Sequence, residues 1–186
     1  MKLRVFGLAV LLALIFVVPA GAQRSAPARQ PDVVFIPTPP DVVEAMLKLA
    51  KVTSNDVVYD LGSGDGRIVI AAAKTYGARG VGIDIDPERI REANANAQAS
   101  GVADKVMFRN EDLFDADISP ATVVTLYLLP SVNARLAPKL MKDLKPGTRI
   151  VSHAFDLGAW RPEQKLLVNG RMVFFWTIAT PTSGRR

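Results

Sequence analysis

Three glycines at alternate positions, Gly62, Gly64 and Gly66, follow an aspartate that sits near the end of an apolar run, Val57-Val58-Tyr59-Asp60-Leu61. A helix-forming stretch, Ile68 to Lys74, comes directly after them. A buried strand that turns through glycines into a helix is a ligand cradle. Glycine tolerates positive φ and lets backbone amides approach a ligand, while the helix N-terminus points at it. Asp60 decides which ligand: a carboxylate there repels a pyrophosphate and accepts hydrogen bonds from an ammonium. The position at which a dinucleotide fingerprint needs its third glycine is Arg67. The loop is therefore built for a nucleoside that carries an amino acid, not for a nicotinamide dinucleotide. A second acid, Asp84, ends the next apolar strand 18 residues beyond Gly66, near the spacing of about 20 residues expected of a ribose-binding carboxylate. A third acidic stretch, Asn110-Glu111-Asp112-Leu113-Phe114-Asp115, places Glu111 and Asp115 in competition with Asp112 for any ligand role.

These residues need elements to hold them. Thr38-Pro39-Pro40-Asp41 predicts a helix start, with Thr38 as cap and Asp41 at the capping-box position, and an apolar face through Val42, Val43, Met46 and Leu47. A short polar turn, Thr53-Ser54-Asn55-Asp56, leads into the opening strand. The glycine loop feeds a helix over 67–76. A strand over 80–85 leads to a helix that Asp86 caps and Pro87 opens. Strands follow at 105–109 and at 122–129, the latter apolar throughout, as in a sheet covered on both faces. A helix over 131–144 carries Pro138, which predicts a kink, and a strand over 149–155 comes next. Asn169-Gly170 between two apolar runs is a hairpin signal. Five β/α alternations closed by a hairpin predict a mostly parallel α/β sheet with one reversed strand.

The whole chain narrows the options. Its 186 residues suit one domain, and 49% hydrophobic with 22% charged residues is a globular balance. The net charge of +5, or +3 without Lys2 and Arg4, comes with no basic stripe, so nucleic-acid binding is not expected. Cysteine is absent and there is one histidine, which removes disulfides, thiolate chemistry and a His-rich metal site. Residues 1–22 have the form of a secretory signal: a basic start, an apolar Val5 to Val18, then Pro19-Ala20-Gly21-Ala22 with small residues for cleavage. The expected layout is a signal peptide or N-terminal anchor at 1–22, a linker at 23–37, a catalytic domain at 38–180 and a tail at 181–186. The expected location is exported, with a membrane anchor facing the domain to the cytoplasm as the alternative.

On these residues the chain resembles the class I S-adenosylmethionine-dependent methyltransferases from Phe35 to Ile178. The resemblance implies a Rossmann-like fold whose mostly parallel seven-stranded sheet ends in an antiparallel hairpin, and S-adenosylmethionine as cofactor. It implies that Asp60, Gly62, Ser63, Gly64 and Gly66 surround the methionine portion and that Asp84 takes the ribose hydroxyls. Asp112 would accept from the adenine amino group, with Ile85 and Leu113 against the ring. A narrower resemblance, to the FAM173 protein-lysine methyltransferases, rests on Phe35 to Val43, on Asp60 to Ile70 and on Leu128-Leu129-Pro130-Ser131-Val132, with Val151-Ser152 and Trp160. It implies a protein-lysine N-methyltransferase, in a family whose protein substrates include a membrane-embedded one. Leu129-Pro130-Ser131 stands where many methyltransferases carry Asn-Pro-Pro-Tyr, which disfavours methylation of DNA or of glutamine amides.

Methyl transfer to an amine asks mainly for in-line positioning and desolvation, because the sulfonium is already a good leaving group. Tyr127, Ser131, Asn133 and His153 fall at the carboxyl ends of strands, where such sheets bind ligands. Tyr127 and His153 also read as core or rim residues, and no catalytic base is assigned. Two other readings stay open: a small-molecule or lipid methyltransferase working at a membrane, with Phe35 and Ile36 as an apolar entrance, and an exported binding module that keeps the fold without catalysis.

Overall fold

Every strand of this chain that lies in the middle of the sheet buries both faces, and the pattern of the core follows. The computed structural model describes residues 35–180; the expected signal or anchor at 1–22, most of the linker and the tail lie outside them. The elements run α1 (Pro40–Leu49), β1 (Val57–Leu61), α2 (Arg67–Tyr76), β2 (Arg79–Asp84), α3 (Pro87–Ala99), β3 (Val106–Asn110), β4 (Val123–Leu126), α4 (Pro130–Asp143), β5 (Arg149–His153), β6 (Gln164–Val168) and β7 (Arg171–Thr177). One seven-stranded sheet has the order β3-β2-β1-β4-β5-β7-β6. β1 to β5 are parallel, and β7 runs antiparallel to both β5 and β6. This is the expected Rossmann-like sheet with its single reversed strand.

Alternate residues of each strand point to opposite layers. Val58, Val123, Val151 and Val173 pack with α1 and α2 through Val42, Met46, Leu47, Ile68 and Val69. Tyr59, Leu61, Val124, Leu126, Ile150 and Trp176 face the other way, onto Leu136 and Leu140 of α4 and onto Ala116, Ile118 and Ala121. α2 in turn packs on α3 through Ile70, Ala73 and Ala97.

Three local expectations are corrected. Pro39, not Thr38, is the N-cap of α1, with no side-chain cap; Thr38 is buried against His153, and Asp41 accepts a hydrogen bond from Asn169 at 2.6 Å instead of closing a capping box. The alternation of strand and helix is incomplete. No helix lies between β3 and β4 or between β5 and β6, and residues 111–122 and 154–163 connect them irregularly. The fourth strand stops at Leu126, which leaves Tyr127 to Leu129 as a loop; Leu129 is the N-cap and Pro130 the first residue of α4. α4 is assigned continuously through Pro138. The hairpin turn is as expected, with positive φ at both Asn169 and Gly170 (46° and 79°), the conformation whose twist matches the strands.

At the amino ends of the strands, one buried carboxylate joins three of them. Asp56 accepts from the Thr53 amide and hydroxyl (2.8 and 3.0 Å), from the Thr122 hydroxyl (2.7 Å) and from the Arg149 guanidinium. Thr122 also accepts from the Val57 amide at 2.9 Å, and Arg149 donates to the Ala50 carbonyl at 2.7 Å. Burial pushes the Asp56 carboxyl up, but its hydrogen bonds from Thr122, Thr53 and Arg149 outweigh this and hold it below the usual range. The cluster fixes β1, β4 and β5 at the end away from the glycine loop, and without Asp56 the Arg149 guanidinium keeps only the Ala50 and Lys51 carbonyls and no counter-charge. Asp56→Ala is expected to lower the unfolding free energy in urea by about 3 kcal/mol. Binding at the opposite end of the sheet should be unchanged in the protein that remains folded.

Candidate active site

Strand order reverses between β1 and β4, and a crevice opens there at the carboxyl ends of the strands, as open α/β sheets dictate. The crevice holds about 570 Å³, within the usual range for ligand pockets. Its walls divide by chemistry. Over β1, β2 and β3 stand Asp60, Gly62, Ser63, Asp84, Ile85, Glu111, Asp112 and Leu113. Over β4 and β5 stand Tyr127, Leu128, Leu129, Val132 and Phe155, with no acid among them. Residues 35–38 supply a third wall.

Asp60 is 2% exposed at the end of β1. It accepts from the Thr125 hydroxyl of neighbouring β4 at 2.7 Å, the residue directly opposite it in the parallel register. No basic side chain pairs with it among the described residues. Burial therefore raises its carboxyl to about 7; the Thr125 hydrogen bond opposes the rise, and the nearby charges of Asp84 and Asp65 add to it. A cationic group entering the crevice would supply the missing charge.

The glycine loop is tied to β2 by the Gly62 and Ser63 amides, which donate to the Ile83 carbonyl at 2.8 and 3.0 Å. Asp84 is oriented by two backbone amides: Gly64 donates to one carboxylate oxygen at 2.8 Å and Asp86 to the other at 2.9 Å. Gly62 and Ser63 line the crevice, whereas Gly64 and Gly66 shape the loop behind it. Gly66 is the left-handed residue that opens α2 (φ 79°). A Cβ on Gly64 would lie 2.1 Å from the Phe35 ring, so that position must be glycine for the ring to lie there. Asp112 lines the crevice and accepts from the Phe114 amide at 2.9 Å, in a turn that presents Leu113 and Phe114 to the same space.

The acceptor-side candidates separate. Tyr127 lines the crevice and stacks on His153, ring centroids 3.9 Å apart. His153 is 2% exposed, and its Nδ1 lies 3.2 Å from the Thr38 hydroxyl. Burial, with Arg171 assisting, lowers its pKa to about 4, so the ring is neutral at physiological pH. Asn133 is buried and donates to Ser152 and to the Phe155 and Asp156 carbonyls, holding the loop after β5. Ser131 is exposed on α4 and is not part of the crevice wall.

Composition places residues 35–37 in a linker, but Phe35, Ile36 and Pro37 line the crevice. Asp65 and Arg67 also line it, a role the glycine spacing alone does not suggest. The one sequence cue is Arg67 itself, standing where a dinucleotide loop needs glycine. Phe114 and Phe155 come from the two connections that lack helices, and nothing in their local pattern marks them.

Residues 60–164 match the model of the ANTKMT methyltransferase domain family. A protein-lysine N-methyltransferase of Saccharolobus islandicus (strain REY15A) is 51% identical over 139 residues, covering 74% of this chain and 86% of that protein. The adenine nucleotide translocase lysine N-methyltransferase of Mus musculus is 35% identical over 120 residues, 64% of this chain; the match takes in 52% of that longer protein. A crystal structure of an RNA methyltransferase from Salinibacter ruber in complex with S-adenosyl-L-homocysteine superposes with a TM-score of 0.77 at 59% identity, covering 80% of this chain and 98% of that one.

The raised carboxyl of Asp60 gives a pH signature. A ligand ammonium needs the carboxylate, so below about pH 7 binding must first expel a proton. The calorimetric affinity for S-adenosylhomocysteine should fall by up to about tenfold per pH unit as pH drops below that value, and level off above it. Asp60→Asn should weaken binding at pH 8 and flatten the profile. Affinity in the parent protein that does not vary between pH 5 and 8 would contradict the assignment.

Proposed function

The chain belongs to the ANTKMT methyltransferase domain family and is an S-adenosylmethionine-dependent methyltransferase; from that premise we propose that its acceptor is a lysine side chain of a protein. The observation that carries the proposal is the division of the crevice into an acidic half and an apolar half. The acidic half suits the cofactor's charged and hydroxyl groups: Asp60 for the ammonium, Asp84 for the ribose hydroxyls, Asp112 for the adenine amino group, with Ile85 and Leu113 beside the ring. The cofactor brings an electrophilic methyl on a sulfonium; the protein's task is to deliver an uncharged amine in line with it. Tyr127, Leu129, Val132 and Phe155 offer an apolar channel for the aliphatic stem of lysine. With no carboxylate among those described residues, desolvation favours the neutral amine by disfavouring its charged form. His153 is bonded to Thr38 and stacked behind Tyr127, off the crevice wall, so it is not placed to act as a base there.

The identity with the archaeal lysine methyltransferase supports this reading. The Salinibacter relative is described as acting on RNA. Around the crevice Asp86, Glu111 and Asp112 alternate with Arg67 and Arg89 beside exposed Ile36 and Leu129, which is not the basic stripe that tracks a phosphate backbone. Exposed Phe35, Ile36 and Leu129 suit an apolar protein segment as substrate, and a membrane protein falls within that class.

The location belongs to the same proposal. Residues 1–22 direct the chain to the membrane, either as a cleaved export signal or as a retained anchor, and the mass of the mature protein's N-terminal peptide separates the two. Among the described residues no helix is long and apolar enough to cross a membrane.

The purified protein, given S-adenosylmethionine with a labelled methyl group and an extract of cellular protein, RNA and lipid, should place label on protein. Tandem mass spectrometry should find one to three methyl groups on lysine. Label confined to RNA or to lipid would overturn the lysine reading while leaving the methyltransferase assignment intact.

A further inference from the structure

Residues 35–38 cross the crevice as a strap with a separate anchor at each end. At one end the Phe35 ring lies on the glycine loop, in the space that a side chain on Gly64 would fill, and the Arg89 guanidinium stands 5.1 Å from the ring centroid. At the other end the Thr38 carbonyl accepts from Arg67 Nη1 at 3.0 Å, and the Thr38 hydroxyl meets His153 Nδ1 at 3.2 Å. Thr38 is 3% exposed although it lies outside every helix and strand.

Arg67 is prepared for this task. Asp65 engages its guanidinium with both carboxylate oxygens, at 2.9 Å to Nε and 2.5 Å to Nη2, which leaves Nη1 directed at the Thr38 carbonyl. A planar fork held in this way delivers its remaining donor in a fixed direction, which a lysine ammonium could not do. The helix N-terminus that carries a phosphate in dinucleotide-binding loops here carries a strap. His153 is prepared as well. One nitrogen is committed to Thr38, and its ring face is committed to Tyr127, a wall of the apolar half.

We propose that Arg67 and His153 are positioning residues that latch residues 35–38 across the crevice, so that one segment closes the cofactor half through Phe35 and completes the acceptor half through Thr38. Arg67, locked by Asp65, holds the Thr38 backbone and through it keeps Phe35 laid on the glycine loop, so it governs retention of the cofactor. His153 couples the strap to Tyr127 and governs the fit of the acceptor. The division into two halves rests on the lysine reading given above, but the Arg67 arm concerns the cofactor alone.

The sequence has no cysteine, so Ile36→Cys in the full chain provides a single site for a nitroxide label on the strap. In that background Arg67→Gln should sharpen the spin-label spectrum and speed S-adenosylhomocysteine dissociation by about tenfold, the scale of a lost charge-assisted hydrogen bond. Arg67→Lys should fail to restore either. His153→Leu should raise the acceptor KM severalfold and leave S-adenosylhomocysteine dissociation within about twofold of the parent. Thermal melting of each variant separates the latch from the fold. A spectrum and dissociation rate unchanged by Arg67→Gln would overturn the proposal, and so would a melting point that falls far enough to account for both changes. Equal loss of acceptor and cofactor binding in His153→Leu would overturn the division of labour. The dissociation arm uses S-adenosylhomocysteine alone, so it reads the latch whether the acceptor proves to be lysine, RNA or lipid.

Discussion

A carboxylate buried at the centre of a parallel sheet, with no basic side chain beside it among the described residues, is an unfavourable thing to fold, and the site depends on it. Asp60 has one strong partner, the Thr125 hydroxyl, and burial raises its carboxyl to about 7. A hydroxyl satisfies part of a carboxylate's hydrogen-bonding capacity and none of its charge. The remainder is left for a ligand. An ammonium arriving there gains from the low-dielectric surroundings that penalise the empty carboxylate, so the instability of the free site becomes selectivity for a positively charged group.

The rest of the architecture holds that carboxylate at the end of a strand and surrounds it. Parallel register sets Thr125 and Gly82 on either side of Asp60. Asp56, at the opposite end of the strands, ties β1, β4 and β5 together with Thr122 and Arg149. The reversal of strand order between β1 and β4 opens the crevice there. The connections after β3 and β5 are irregular, which lets Leu113, Phe114 and Phe155 reach the crevice from segments that would otherwise lead into covering helices. The acidic half and the apolar half are thus consequences of which strands carry acids at their carboxyl ends.

Much of this is legible in the sequence, and the reasons differ by residue. The positions of Asp60, the glycines and Asp84 are legible because they depend on local chain geometry: a strand end, a tight turn, a fixed spacing. Asn169-Gly170 is legible for the same reason, since its backbone conformation decides the turn type. Thr38 misleads because Thr-Pro-Pro-Asp has the local form of a helix cap, while His153, 115 positions away, claims the hydroxyl. Phe35 and Ile36 read both as linker and as an apolar entrance, because composition records proline and alanine but not the glycine surface on which Phe35 lies. Asp56 reads as part of a polar turn; its partners Thr122 and Arg149 are distant in sequence and adjacent only once the sheet has formed. Local patterns carry the acidic half of the crevice, whereas long-range contacts build the strap and its apolar half.

The buried Asp60 is an easily protonated carboxyl, and the proposed ammonium contact would turn it into a stable carboxylate. Carbon-13 NMR of the Asp60 side-chain carboxyl reports this directly, with Asp60→Asn to assign the signal. In the free protein the carboxyl should titrate near pH 7, and with S-adenosylhomocysteine bound the titration should move well into the acid range. A carboxyl that titrates in the ordinary aspartate range in the free protein, or one whose titration is the same with and without the ligand, would contradict it.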